Sequence, residues 1–218
     1  MAVAEQLEQS KYVKRQIGIL QMYLADVLMN TYGDARKSYL QEAAKNCTEA
    51  LTIFHRLNEL NMKNEANHRL GRIRYYKMIE AEEQAYRESA RIKESQGNLA
   101  EAALDWNELA FSVESSSRRH EEAEAWFRKA IEAGKAGKDM VNVPEMLNNL
   151  ANLIQTNYPD RLPEARQLVE EALAIRKTLD PTVSEIWMSY DVLLLIAEQE
   201  GDGEKAGEYR RLRDLNRV

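Results

Sequence analysis

The chain has 218 residues, a formal net charge of −6 and 30% charged residues, with only 9 glycines, 4 prolines and one cysteine. That composition excludes an internal disulfide and argues against a nucleic-acid partner held by phosphate neutralisation. The wholly apolar run Val192 to Ala197 is too short to cross a bilayer, and the charged start (Glu5, Glu8, Lys11, Lys14, Arg15) is not that of a secretory signal, so a cytoplasmic protein is expected.

Few breakers, many Ala, Leu, Glu, Lys and Arg, and no alternating strand pattern favour helix over most of the length. Residues 3 to 31 read as a first helix with Leu7, Val13, Ile17, Leu20, Leu24, Val27 and Leu28 in a broad apolar stripe. Gly33-Asp34 breaks it, with Asp34 placed to cap the second helix. Residues 34 to 61 carry Ala43, Cys47, Ala50, Leu51 and Ile53 on one face, and Asn61 and Asn64 frame a short break. Over 65 to 96, Leu70-Gly71 reads as a close-contact point, and Tyr86, Ser89, Ala90 and Ile92 as a degenerate second helix. The pattern fits two helices turning near Tyr76 to Ile79, or one long helix, with two preferred.

After Gly97-Asn98, Trp106, Leu109 and Ala110 mark a helix, Ser115 to Ser117 a turn, and Glu121 to Ala136 its partner, closed by Gly134 and Gly137. Pro144, where a first-turn proline is tolerated, opens the helix of Leu147, Leu150, Ala151 and Ile154. Pro163 starts another, which Asp180-Pro181 ends. A helix over 183 to 199, the break Gly201-Asp202-Gly203 and a last helix from Glu204 complete the chain.

Small residues recur along this series. Contact positions in the first helix of each pair fall at Gly71, Ala110, Ala151 and Leu194, at intervals of 39, 41 and 43. Those in the second helix fall at Ala43, Glu82, Ala123, Ala165 and Ala206, at intervals of 39, 41, 42 and 41, with a poor fit at Glu82. Each pair has one more apolar face than it can bury alone, so pairs stack. The reading is an all-α array of about nine or ten helices. It divides into an N-terminal helix (1–33), degenerate helices (34–96), and three repeats with a C-terminal helix (97–218).

Trp106-x-x-Leu109-Ala110, Leu70-Gly71, and Leu150-Ala151 followed by Ala165, Val169 and Ala172 resemble the tetratricopeptide repeat. The long period, the run LNNLANL at Leu147 to Leu153 and EEALAIRK downstream resemble its kinesin-light-chain-type variant of bacterial arrays. The resemblance is good over 98 to 216 and weaker over 34 to 96, with departures at Arg74, Glu82 and Leu194. It implies a right-handed superhelix of stacked antiparallel helix pairs, an α-solenoid whose first helices line the concave face. It also implies a non-catalytic scaffold or sensor array for a protein or extended peptide, as a fragment of a larger bacterial regulatory protein.

Register points His68, Arg72, Tyr75 and Tyr76 into the groove, then Asn107, Phe111 and Glu114, then Asn148, Asn152 and Gln155, then Asp191, Leu195 and Glu198. Asparagines can bond an extended backbone as donor and acceptor. Arg69, Arg72, Arg74 and Lys77 would draw an acidic or phosphorylated peptide, while their plainer role is to cover a solvated face or pair with Glu80, Glu82 and Glu83. The two-carboxylate clamp of some tetratricopeptide co-chaperones does not match His68, Arg72, Asn107 and Phe111.

No cofactor, metal or catalytic set is expected, and the chain reads as a non-enzyme. His55, His68 and His120 lack a second ligand at helical spacing, and Cys47 takes the core position that Phe127 and Val169 fill in other copies. Trp106, Trp126 and Trp187 read as core wedges. Two runner-up readings stand beside the scaffold. One is self-association, which exposed apolar residues over Met1 to Asn30 would favour. The other is the sensor domain of a larger nucleotide-dependent switch enzyme.

Overall fold

The computed structural model describes residues 2–31, 35–117 and 119–217, and among these the chain is all-α. The helices are α1 (Ala2–Met29), α2 (Arg36–Arg56), α3 (Leu60–Ser95), α4 (Leu99–Ser117), α5 (His120–Ala136), α6 (Val143–Asn157), α7 (Leu162–Arg176), α8 (Pro181–Ser184), α9 (Ile186–Glu200) and α10 (Gly203–Asn216). None of the described helices is long and apolar enough to cross a membrane. The break at Gly33-Asp34, with its cap, lies outside the described residues. The chain forms two compact units, Met1–Glu82 and Glu83–Val218.

In the first unit α1 packs on α2. Ala25, Met29, Leu40, Ala43, Cys47 and Ile73 form one apolar cluster, and Met22, Ala50, Phe54 and Ala66 another. Burying each large side chain of this kind contributes roughly 1.5–3 kcal/mol. Cys47 is a core residue, and burial pushes its thiol pKa up. Gly18 is needed for close approach, since a Cβ there would lie 2.7 Å from the Phe54 ring.

In the second unit α4 packs on α5, α6 on α7 and α9 on α10. The α5–α6, α7–α9 and α6–α9 packings join these hairpins. Ala110, Ala151 and Leu194 are buried, as are Ala123, Ala165 and Ala206, so both periodic series mark helix packing here. Trp106 is a buried wedge stacked on Trp126, with centroids 5.0 Å apart and planes 4° apart. Pro144 and Pro163 stand in the first turns of α6 and α7. Gly97 and Gly201 take left-handed φ of 78° and 73° at their turns, where a Cβ would be strained.

Several expectations are corrected. Residues 65–96 do not hold two helices with a turn near Tyr76: α3 is a single helix of 36 residues. The break before it is at Asn58, whose φ of 58° suits an asparagine, so Asn61 and Asn64 are helical. Ser115 to Ser117 continue α4 rather than turning. The expected helix over 183 to 199 is interrupted at Glu185 (φ 42°). Asp180 caps the short α8 by accepting the Thr182 N–H at 2.9 Å. Buried Arg176 donates to the carbonyls of Ser184 (2.6 Å) and Glu185 (3.0 Å), tying this connection down, and burial pushes its pKa below the ordinary arginine value.

The register along α3 is one residue away from the expected one. Ala66, Leu70 and Ile73 face inward as Trp106, Ala110 and Val113 do 40 residues later, so the packing residue is Leu70 and Gly71 is exposed. Likewise Glu83, Arg87 and Ala90 correspond to Ala123, Phe127 and Ala130. Glu83 is 1% exposed, whereas Glu82 is exposed.

A Cβ at Gly71 meets nothing within 4 Å, whereas one at Gly137 runs into the backbone of Leu99 and Ala100. Gly71→Ala is expected to stabilise the chain by about 0.5–1 kcal/mol through helix propensity, and Gly137→Ala to cost about 1–3 kcal/mol. Urea unfolding of the two variants measures both signs.

Candidate functional site

The expected groove residues fall in both units. In the first, His68, Arg72 and Tyr75 lie along one side of α3, with Tyr76 beside them; His68 and Tyr75 are exposed. The basic cluster is partly engaged. Arg69 donates to Asp26 of α1 at 3.0 Å and to Glu65 at 3.3 Å. Arg72 lies 3.9 Å from Asp26 and 6.0 Å from the Tyr76 ring centroid. The pairing acid is therefore chiefly Asp26, rather than Glu80, Glu82 or Glu83. Arg74 and Lys77 are exposed.

In the second unit α4, α6 and α9 carry the other nine residues. Asn107 and Asn148 are only 5% and 4% exposed. Asn149 donates its amide to the Asn107 oxygen at 3.2 Å, joining α6 to α4. The Asn148 amide donates to the Ser189 hydroxyl at 3.2 Å, joining α6 to α9. Gln199 donates to the Gln155 carbonyl at 3.1 Å, a third such tie. The expectation that Asn107 and Asn148 line an open groove is thus corrected: Asn148 exchanges hydrogen bonds with the Ser189 hydroxyl, and the Asn107 oxygen accepts from Asn149, both between helices inside the protein. Asp191 and Glu198 are bound by Arg213 (3.0 Å) and Arg210 (2.6 Å) of α10.

Glu114 and Gln155 are half-buried, which leaves Phe111, Asn152 and Leu195 as an aligned row outside the interhelical ties. They occupy one position in α4, α6 and α9, at intervals of 41 and 43. Phe111 is 38% exposed and Leu195 41%, with Asn152 half-buried between them in the series. The Phe111 and Phe127 rings form a T-shaped pair (5.3 Å, 89°).

The second helices of the hairpins are tied differently, by ions. Arg119 binds buried Glu83, and Lys129 lies 3.3 Å from Glu94. Arg128 and Arg161 share Glu124 and Glu164 between α5 and the start of α7. The hydrogen bonds from Arg161, with those from Arg128, hold the Glu124 carboxyl at a pKa of about 2. Lys135 binds Glu171 at 2.6 Å, and Arg166 binds Glu200. Sequence reasoning missed this ladder, although its signal is present as opposite charges recurring 34 to 37 residues apart. Among the described residues no cluster of three or more His, Cys, Asp or Glu side chains is placed to hold a metal ion.

No family model matches the chain, and no curated protein matches it. Among solved structures it is similar to BtubC (BKLC) from P. vanneervenii, with 21% sequence identity and a TM-score of 0.54, over 99% of this chain and 86% of that one. That structure is a kinesin-light-chain-like helical repeat protein of tetratricopeptide type. At this identity the likeness shows the fold alone, an all-α helical-repeat fold.

The hydrogen bonds separate structural from solvent-facing asparagines. Asn148→Ala is expected to cost about 1–3 kcal/mol, because it strands the buried Ser189 hydroxyl. Asn152→Ala is expected to stay within about 0.5 kcal/mol of the parent. Chemical unfolding of the two single variants checks the difference.

Proposed function

We propose that the chain is a non-catalytic protein-binding module in which α4, α6 and α9 present one face to an extended protein segment. The observation that carries this is the row Phe111, Asn152 and Leu195. Three successive helices offer the same register position to solvent, while the residues around it are tied into the fold. An extended segment places side chains on one side at every second residue. Its apolar side chains would cover Phe111 and Leu195. The Asn152 amide would bond its backbone as donor and acceptor. We also place the chain with the kinesin-light-chain-type branch of tetratricopeptide repeats, a reading supported by its long period and its likeness to BtubC.

Panning a displayed random-peptide library on the full chain tests this reading. Enriched peptides should bind the parent and lose roughly tenfold or more in affinity for Phe111→Ser/Asn152→Ala/Leu195→Ser, whose helical circular dichroism stays unchanged. Failure to enrich any peptide, or equal binding to the folded triple variant, would overturn it.

A further inference from the structure

Helix α1 carries two apolar seams. Gly18, Met22, Ala25 and Met29 are buried on the side that packs on α2. On the opposite side Val13, Ile17, Leu20, Leu24 and Val27 recur at spacings of 4, 3, 4 and 3, and all five are 45–64% exposed. That alternation is the seam of a two-helix coiled coil, in which each side chain inserts between residues of a facing helix. We propose that a second copy of this chain covers the seam, so that two chains associate through α1.

Three observations choose a second copy as the occupant. The first is area. With Tyr23, which adjoins the seam, the exposed side chains amount to roughly 600 Å². That is at the top of the roughly 300–600 Å² range for the largest apolar patch of an ordinary monomer, and two such faces together, roughly 1,200 Å², reach the range of a specific interface.

The second observation is charge. The seam is flanked by Gln9, Gln16, Gln21, Tyr23 and Lys14, a nearly neutral rim. The other charges of α1 are largely engaged within the chain. Lys11 binds Glu8 (3.1 Å), Arg15 binds Glu59 (2.8 Å) and Asp26 binds Arg69 (3.0 Å). A partner with a charged rim finds little here to complement, whereas a second copy meets little repulsion.

The third is self-complementarity. A regular apolar row on one straight helix can face an identical row across a two-fold axis, with each residue serving as knob and as part of a hole. The seam is also bounded: Gln6 and Ser10 occupy its next two positions toward the N-terminus.

Light scattering coupled to size exclusion, run on the full chain from roughly 1 to 100 µM, tests the proposal. The expected mass at the upper end is twice 25.1 kDa. Leu20→Glu/Leu24→Glu, at positions exposed in the single chain, should give the single-chain mass with unchanged helical signal. Hydrogen exchange of the parent, compared at the two concentrations, requires no variant to fold. It should slow at residues 13–27 as concentration rises. A parent that is monomeric throughout, a folded double variant that still doubles, a concentration-independent exchange rate over 13–27, or a different protein bound to this seam would each overturn the proposal.

Discussion

Between Gly71 and Gly97 the chain contains neither glycine nor proline, and the rest of the structure depends on that uninterrupted stretch. Nothing in it stops helix propagation, so α3 runs from Leu60 to Ser95 and supplies packing residues to both units. Its early residues Ala66, Leu70 and Ile73 belong to the core with α1 and α2. Its late residues take the register of the second helices of the later repeats. There Glu83, Arg87 and Glu94 replace Ala123, Phe127 and Gly134 at the matching positions.

Charges at such positions need compensation, because burial without a partner is costly. Each has partners nearby. Glu83 is bound by Arg119, Arg87 lies 3.8 Å from Glu122 and over the Trp126 ring, and Glu94 accepts the Trp106 indole N–H at 2.8 Å. The ionic ladder continues this scheme along α5, α7 and the end of α9, while an amide ladder ties α4, α6 and α9. These two sets of ties account for most polar side chains that a sequence would offer as ligands. The residues they leave uncovered, Phe111, Asn152 and Leu195, are therefore the more informative set.

The fold is legible in the sequence where packing is apolar. Ala110, Ala151 and Leu194, and Ala123, Ala165 and Ala206, sit in the core because only small or well-shaped residues let the helices close. Legibility fails along α3, where charge pairs replace that pattern. In the Leu70-Gly71 pair the small residue draws the reading to Gly71 although Leu70 packs, and farther along, where charges replace apolar anchors, the periodicity points to Glu82 in place of Glu83. The site is less legible than the fold. Asn148 and Asn152 are one helical turn apart and chemically identical, yet one is locked to Ser189 and the other is not. Helical register alone cannot separate these roles, because the difference lies in a residue 41 positions away. The apolar stripe of α1 is visible, but two seams of similar composition share that helix, and only packing on α2 decides which is covered.

The most direct test of the continuous α3 is the backbone 13Cα chemical shift through residues 72–86. A single helix predicts helical deviations at every residue across Tyr76 to Ile79, with no coil-like interval. A run of coil values there would show a hairpin turn. It would contradict both the single helix and the shifted register on which the assignment of packing residues rests.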